Sequence, residues 1–82
     1  MVKEVIRAPR FMKAIKSIDR GSLKRVEKII IKIIKNPEIG KPMRYARKGT
    51  REVYLGSFRL SYAYDLSTEI LIFLDIYHKD EQ

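Results

Sequence analysis

Between Lys41 and Arg59 six basic residues (Lys41, Arg44, Arg47, Lys48, Arg51 and Arg59) stand against one acid, Glu52, with Tyr45, Tyr54 and Phe58 threaded among them. Such a stretch reads as a surface built to meet polyanions. The chemistry open to it is narrow. The absence of Cys excludes disulfides and thiolate zinc sites, and a single histidine, His78, argues against a conventional metal site or a histidine-pair nuclease. Any reaction must therefore run on Arg, Lys, Tyr and carboxylates, and neither a metal nor another cofactor is expected.

The charge is distributed unevenly. Residues 1–59 hold 17 Lys and Arg against five acids, net +12, whereas residues 60–82 hold Lys79 against five acids, net −4. A formal charge of +8 on 82 residues exceeds what solubility requires and points to nucleic acid or an acidic partner. The length suits one domain, 1–82, with a modest core. No apolar run reaches membrane-span length or has a signal-peptide layout, so the expected location is the cytoplasm.

The elements that must position the basic segment are legible in the spacing. Val2 to Arg7 is short and β-branched and predicts a strand. Pro9 suits a first helical turn, and Phe11, Ala14, Ile15 and Ile18 share one face of a short helix over Arg10 to Ile18. Gly21 and Ser22 break it, Ser22 is the expected cap, and a second helix runs from Leu23 to Asn36 before Pro37. On that helix Val26, Ile29, Ile30, Ile33 and Ile34 make an apolar arc about 140° wide, while Lys24, Lys28, Lys32, Lys35 and Arg25 make a basic stripe, with Ile31 at its margin. The stripe reads either as a solvated face or as a nucleic-acid or partner footprint. After a loop marked by Pro37, Gly40 and Pro42, Arg51 to Leu55 and Phe58 to Tyr64 predict a hairpin about Gly56-Ser57, with Phe58, Leu60, Tyr62 and Tyr64 on one face and Arg59, Ser61 and Ala63 on the other. Ile70 to Tyr77 predicts a central strand. The fold class is α+β: an N-terminal strand, a helical hairpin, then a three-stranded antiparallel meander forming one small sheet.

The runs Gly40-Lys41-Pro42-Met43-Arg44, Lys48-Gly49, Val53 to Tyr62 and Ile70 to Lys79 together resemble the RelE/ParE toxin superfamily in their order and spacing, over nearly the whole chain. The resemblance implies the toxin of a type II toxin-antitoxin pair, with a RelB-like antitoxin as partner. For the RelE branch it implies metal-independent endoribonuclease cleavage of mRNA in the ribosomal A site; for the ParE branch it implies inhibition of DNA gyrase by binding.

Under the first reading, 2′-hydroxyl attack needs a base, a stabiliser of the phosphorane and an acid. Arg59 matches the hairpin arginine of the family's site. The supporting catalytic candidates are Arg51 at the scissile phosphate, Lys79 as the basic residue closing the family pattern, His78 as a proton-transfer group, and Tyr54 as a donor or stacking group. Lys41, Arg44, Arg47 and Lys48, with Lys24, Lys28 and Lys32 on the second helix, are the expected RNA-binding cations. Two departures favour the gyrase reading: Glu52 and Tyr54 occupy the hairpin positions where the best-studied branch has lysines, and no tyrosine follows Lys79, Tyr77 preceding that position. Glu52 repels a phosphate unless it serves as the base. A plain RNA-binding module is a third reading, without an RNP-type motif or a KH-like loop to support it.

Overall fold

The computed structural model describes residues 1–81. Strand β1 (Glu4–Arg7) leads into helices α1 (Pro9–Ile15) and α2 (Arg20–Lys35). A two-residue strand β2 (Lys41–Pro42) and a 3-10 turn (Tyr45–Arg47) follow, then β3 (Arg51–Leu55), β4 (Phe58–Asp65), β5 (Ile70–His78) and a last 3-10 turn (Lys79–Glu81). The five strands form one sheet in the order β1-β5-β4-β3-β2. β1 runs parallel to β5 and the other pairs are antiparallel.

The α+β architecture is as the spacing predicts, with one strand more. Two residues cannot show a period, and Pro42 lacks the N–H that a central strand needs, so β2 is an edge addition legible only from its pairing with β3. Two boundaries also shift. α1 ends at Ile15 rather than Ile18, although Ile18 still packs on the core. α2 begins earlier than expected because Asp19, not Ser22, is the cap: its carboxylate accepts a 3.0 Å hydrogen bond from the Ser22 amide, so the helix starts at Arg20 and takes in Gly21.

One face of the sheet receives the helices. Phe11 of α1 and Val26 and Ile33 of α2 are buried against Leu60, Tyr62, Leu71, Phe73 and Ile76, and the Phe11 and Phe73 rings stack at 5.4 Å. The basic stripe of α2 is therefore turned to solvent on the far side of the helix layer, and Ile31 beside it is 54% exposed. Gly56 closes the β3–β4 hairpin with φ near 60°, a conformation that suits glycine.

Two irregularities shape the functional face. Ser61 of β4 pairs with Asp75 while the next residue, Tyr62, pairs with Phe73, so Leu74 is an extra residue in β5. Leu71 and Phe73 face the helices, and beyond the bulge Ile76 does so too. Asp75 and Tyr77 are thereby carried to the opposite, open face. The second irregularity is a lock under the loop leading to β2. The buried Tyr62 hydroxyl accepts a hydrogen bond from the Gly40 amide (2.9 Å) and donates one to the Pro37 carbonyl (2.8 Å). A side chain at Gly40 would stand 2.6 Å from that hydroxyl oxygen, so the loop lies against Tyr62 only because residue 40 has none.

Candidate active site

Strand register builds a cluster on the open face. Paired residues of adjacent strands share a face, with side chains about 5 Å apart, so Lys41, Glu52, Ser61 and Asp75 form one row and Tyr54, Arg59 and Tyr77 the next. Glu52 is only 2% exposed, an unusual condition for a carboxylate. The 3-10 turn brings Arg47 to it: Arg47 Nη1 donates to Glu52 Oε2 at 2.9 Å and reaches the Tyr77 hydroxyl at 3.1 Å. The Tyr77 hydroxyl also donates to Glu52 Oε2, in a short hydrogen bond. One carboxylate oxygen is thus doubly engaged.

The other oxygen differs. Among the described residues, Glu52 Oε1 is the buried side-chain oxygen without a hydrogen-bond partner, and Arg59 Nη1 lies 3.9 Å from it. Arg59 is positioned in turn by Tyr54, its guanidinium carbon 4.2 Å from the ring centroid. The guanidinium of Arg47 is held above its already high ordinary pKa, first by its hydrogen bond to the Tyr77 hydroxyl and then by the charge that Tyr77 and Glu52 place beside it. It stays a cation throughout the working pH range. A buried carboxylate with one uncommitted oxygen, two guanidiniums and a phenol can take a proton, hold a trigonal-bipyramidal phosphate and offer a proton back.

The other candidates are placed as follows. His78 lies at the end of β5, pairs in register with Phe58, and stacks edge-on against it at 5.6 Å. Its Nδ1 lies 3.4 Å from the Asp80 amide nitrogen and 3.5 Å from the Asp80 carboxylate. A groove of about 710 Å³ between α1 and the end of β5 joins His78 to Tyr77 and Arg47, with Arg10, Lys13 and Ser17 along its α1 side. Lys79 follows directly, its amide bonded to the Ser57 carbonyl at 2.8 Å and its side chain exposed.

The structure does not bring Arg51 to the cluster. Arg51 pairs with Tyr62, and its guanidinium donates to the carbonyls of Glu38 (3.1 Å) and Gly40 (2.8 Å), holding the loop before β2. Lys41 pairs with Glu52 and Arg47 bonds it, Arg44 lines a cleft with Lys41, and Lys48 is exposed after the 3-10 turn, whereas Lys24, Lys28 and Lys32 are exposed on α2. Sequence reasoning passed over Tyr77 and left Glu52 doubtful. Glu52 had a signal, since strict alternation along β3 sets it on the face of Tyr54; Tyr77 had none, since the bulge reverses the parity of β5.

A family model described as the ParE toxin of type II toxin-antitoxin systems, parDE, matches residues 5–82. The chain belongs to this toxin family. Solved structures agree on the fold. A chain of the RelBE2 toxin-antitoxin complex from Mycobacterium tuberculosis superimposes on this toxin with a TM-score of 0.83 at 21% identity, covering 95% of this chain and 99% of that one. The YoeB/ParE toxin from Agrobacterium tumefaciens does so with 0.82 at 12%, covering 93% and 98%, and the isolated RelE toxin from E. coli with 0.77 at 12%, covering 90% and 81%. No curated protein matches. The RelE/ParE resemblance of the Gly40–Arg44 and Val53–Tyr62 runs therefore holds at the level of family and fold.

Proposed function

We propose that this toxin is a metal-independent endoribonuclease that cuts mRNA on the ribosome. The observation that carries this reading is the buried Glu52 carboxylate, with Oε1 uncommitted and Arg59, Arg47 and Tyr77 around it. In the proposed step the Arg59 guanidinium moves from Glu52 Oε1 onto the phosphate and uncovers that oxygen, which takes the 2′-hydroxyl proton while the 2′-oxygen attacks the adjacent phosphorus. Arg59 and Arg47 neutralise the charge gathering on the phosphorane oxygens. The bond to the 5′-oxygen breaks and that oxygen takes a proton from the Tyr77 hydroxyl, leaving a 2′,3′-cyclic phosphate and a 5′-hydroxyl. The carboxylate that looked repulsive in the sequence is the base in this scheme, and its burial keeps its charge from meeting the phosphate openly.

The titrating groups this step needs come from the chain itself, so no metal enters it. A ribosomal target places the toxin in the cytoplasm; among the described residues no helix is long and apolar enough to cross a membrane. The partner we propose is a RelB-like antitoxin, as in the RelBE2 complex that the fold matches, with acidic residues facing the cationic surface. A second reading, gyrase inhibition by binding, is favoured by the ParE description of the matching family.

Primer extension on translating ribosomes separates the two. Codon-phased cuts by the toxin that vanish with Arg59→Ala support the nuclease. No cuts, together with loss of gyrase supercoiling activity, would select the gyrase reading.

A further inference from the structure

The loop from Met43 to Thr50 holds a feature that the Glu52 chemistry does not use. Tyr45 is 91% exposed. Its backbone sits at φ 58°, a left-handed conformation that costs a non-glycine residue of order 1 kcal/mol or more. Glycine would relieve that cost, and no core packing is gained in return, since the ring projects into solvent.

The loop nevertheless fixes the backbone that carries the ring. The Met43 amide bonds the Thr50 carbonyl (3.0 Å), the Lys48 amide bonds the Tyr45 carbonyl (3.0 Å), and both the amide and hydroxyl of Thr50 bond the Arg47 carbonyl (3.0 and 2.7 Å). Arg47 is further anchored on Glu52. An aromatic ring on a pinned, strained and cationic loop is preorganised for a planar ligand.

A cleft of about 470 Å³ opens beside the ring, lined by Lys41, Pro42, Met43, Arg44 and Tyr45. Its volume falls in the range of small-ligand sites. Pro42 and Met43 supply an apolar floor, Tyr45 a stacking wall, and Lys41 and Arg44 two cations. No acid occurs between Glu38 and Glu52 to oppose an anion. Lys41 is paired with Glu52 across one strand spacing, about 4.8 Å, so the cleft lies one strand from the proposed scissile phosphate.

We infer that this cleft is a nucleotide subsite: it takes one unpaired base of single-stranded RNA stacked on Tyr45, with the adjoining phosphates on Lys41 and Arg44. The inference rests on the ribonuclease reading and adds to it a contact that fixes which nucleotide is presented to Glu52. An exposed aromatic among cations favours a base over an acidic peptide, because carboxylates need the cations but not the ring.

The test is fluorescence anisotropy with a short labelled oligoadenylate and with an abasic ribose-phosphate chain of the same length, run alongside cleavage on ribosomes. A base stacked on an aromatic ring is worth roughly 1–3 kcal/mol, so Tyr45→Ala is expected to weaken oligoadenylate binding by roughly 5- to 150-fold and to leave the abasic chain unaffected. Tyr45→Phe should bind like the parent protein. Tyr45→Gly should melt higher yet bind as poorly as Tyr45→Ala, which separates the ring from the strain. Equal losses for both oligomers, or no loss, would overturn the subsite, as would failure of the unsubstituted protein to prefer the oligomer with bases. Phased cleavage without Tyr45-dependent binding overturns the subsite alone; Tyr45-dependent binding without any cleavage supports the subsite and overturns the ribonuclease reading.

Discussion

Tyr62→Phe removes one oxygen and is expected to loosen the edge that carries the cationic loop. The Tyr62 hydroxyl is the partner of both the Gly40 amide and the Pro37 carbonyl, and Tyr62 itself is fully buried. A buried group left without its partner costs about 1–3 kcal/mol. Gly40 is buried and Pro37 only half-buried, so the full penalty applies to the amide and a smaller one to the carbonyl, about 2 kcal/mol together. For a chain of this length that lowers the melting midpoint by roughly 8 to 16 °C. Thermal unfolding followed by far-UV circular dichroism measures the shift, and hydrogen exchange should locate the earliest opening in residues 37–43. Gly40→Ala provides a cross-check: its Cβ would lie 2.6 Å from the same hydroxyl oxygen, so the double variant should cost less than the two single changes added together. A Tyr62→Phe midpoint within roughly 2 °C of the parent would refute the argument that this hydroxyl holds the loop.

Other expectations follow from the same geometry. Phe73→Ala, which empties the site stacked on Phe11, should destabilise by roughly 3–5 kcal/mol in urea titration. The hydrogen bonds from the Ser22 amide and hydroxyl hold the Asp19 carboxyl below its ordinary value; because the folded value is the lower one, its contribution is present above pH 3.8 and is lost as pH falls through the folded value. Asp19→Ala should therefore lower the melting midpoint at pH 7 and change it little at strongly acid pH. If Lys41, Arg44, Arg47 and Lys48 each neutralise a phosphate, single-stranded RNA affinity should fall with salt at a log–log slope of about −2.8, and Arg44→Ala should flatten it by about 0.7.

Much of the fold was legible because it rests on regular periods. The 3.6-residue spacing of Val26, Ile29, Ile30 and Ile33 and the alternation of Phe58, Leu60, Tyr62 and Tyr64 each specify a buried face, and α2 and β4 follow them. Two misplacements came from competing local chemistry. Asp19 and Ser22 are both good caps, and which one caps α2 depends on extended backbone at Asp19 that composition does not reveal. β2 is too short to have a period.

The site was half legible for a related reason. Simple alternation along β4 sets Arg59 on the open face, whereas residue type alone leaves Tyr54 open between stacking and packing in the sheet. Arg51 looked equivalent to Arg59 by residue type, but it lies an odd number of positions from Tyr54 on the same strand and so points the other way. Tyr77 was hidden by the bulge at Leu74. The burial of Glu52 was hidden because it depends on Arg47, which approaches through a 3-10 turn rather than along a strand.

In the proposed ribonuclease the Glu52 carboxylate is the base. Single-turnover cleavage of ribosome-bound mRNA by the Glu52→Gln variant, with folding checked by circular dichroism and ribosome binding by co-sedimentation, tests it most directly. The Glu52→Gln rate is expected to fall roughly 10²- to 10⁴-fold with fold and ribosome binding retained; cleavage by the folded variant at the parent rate would rule out Glu52 as the base.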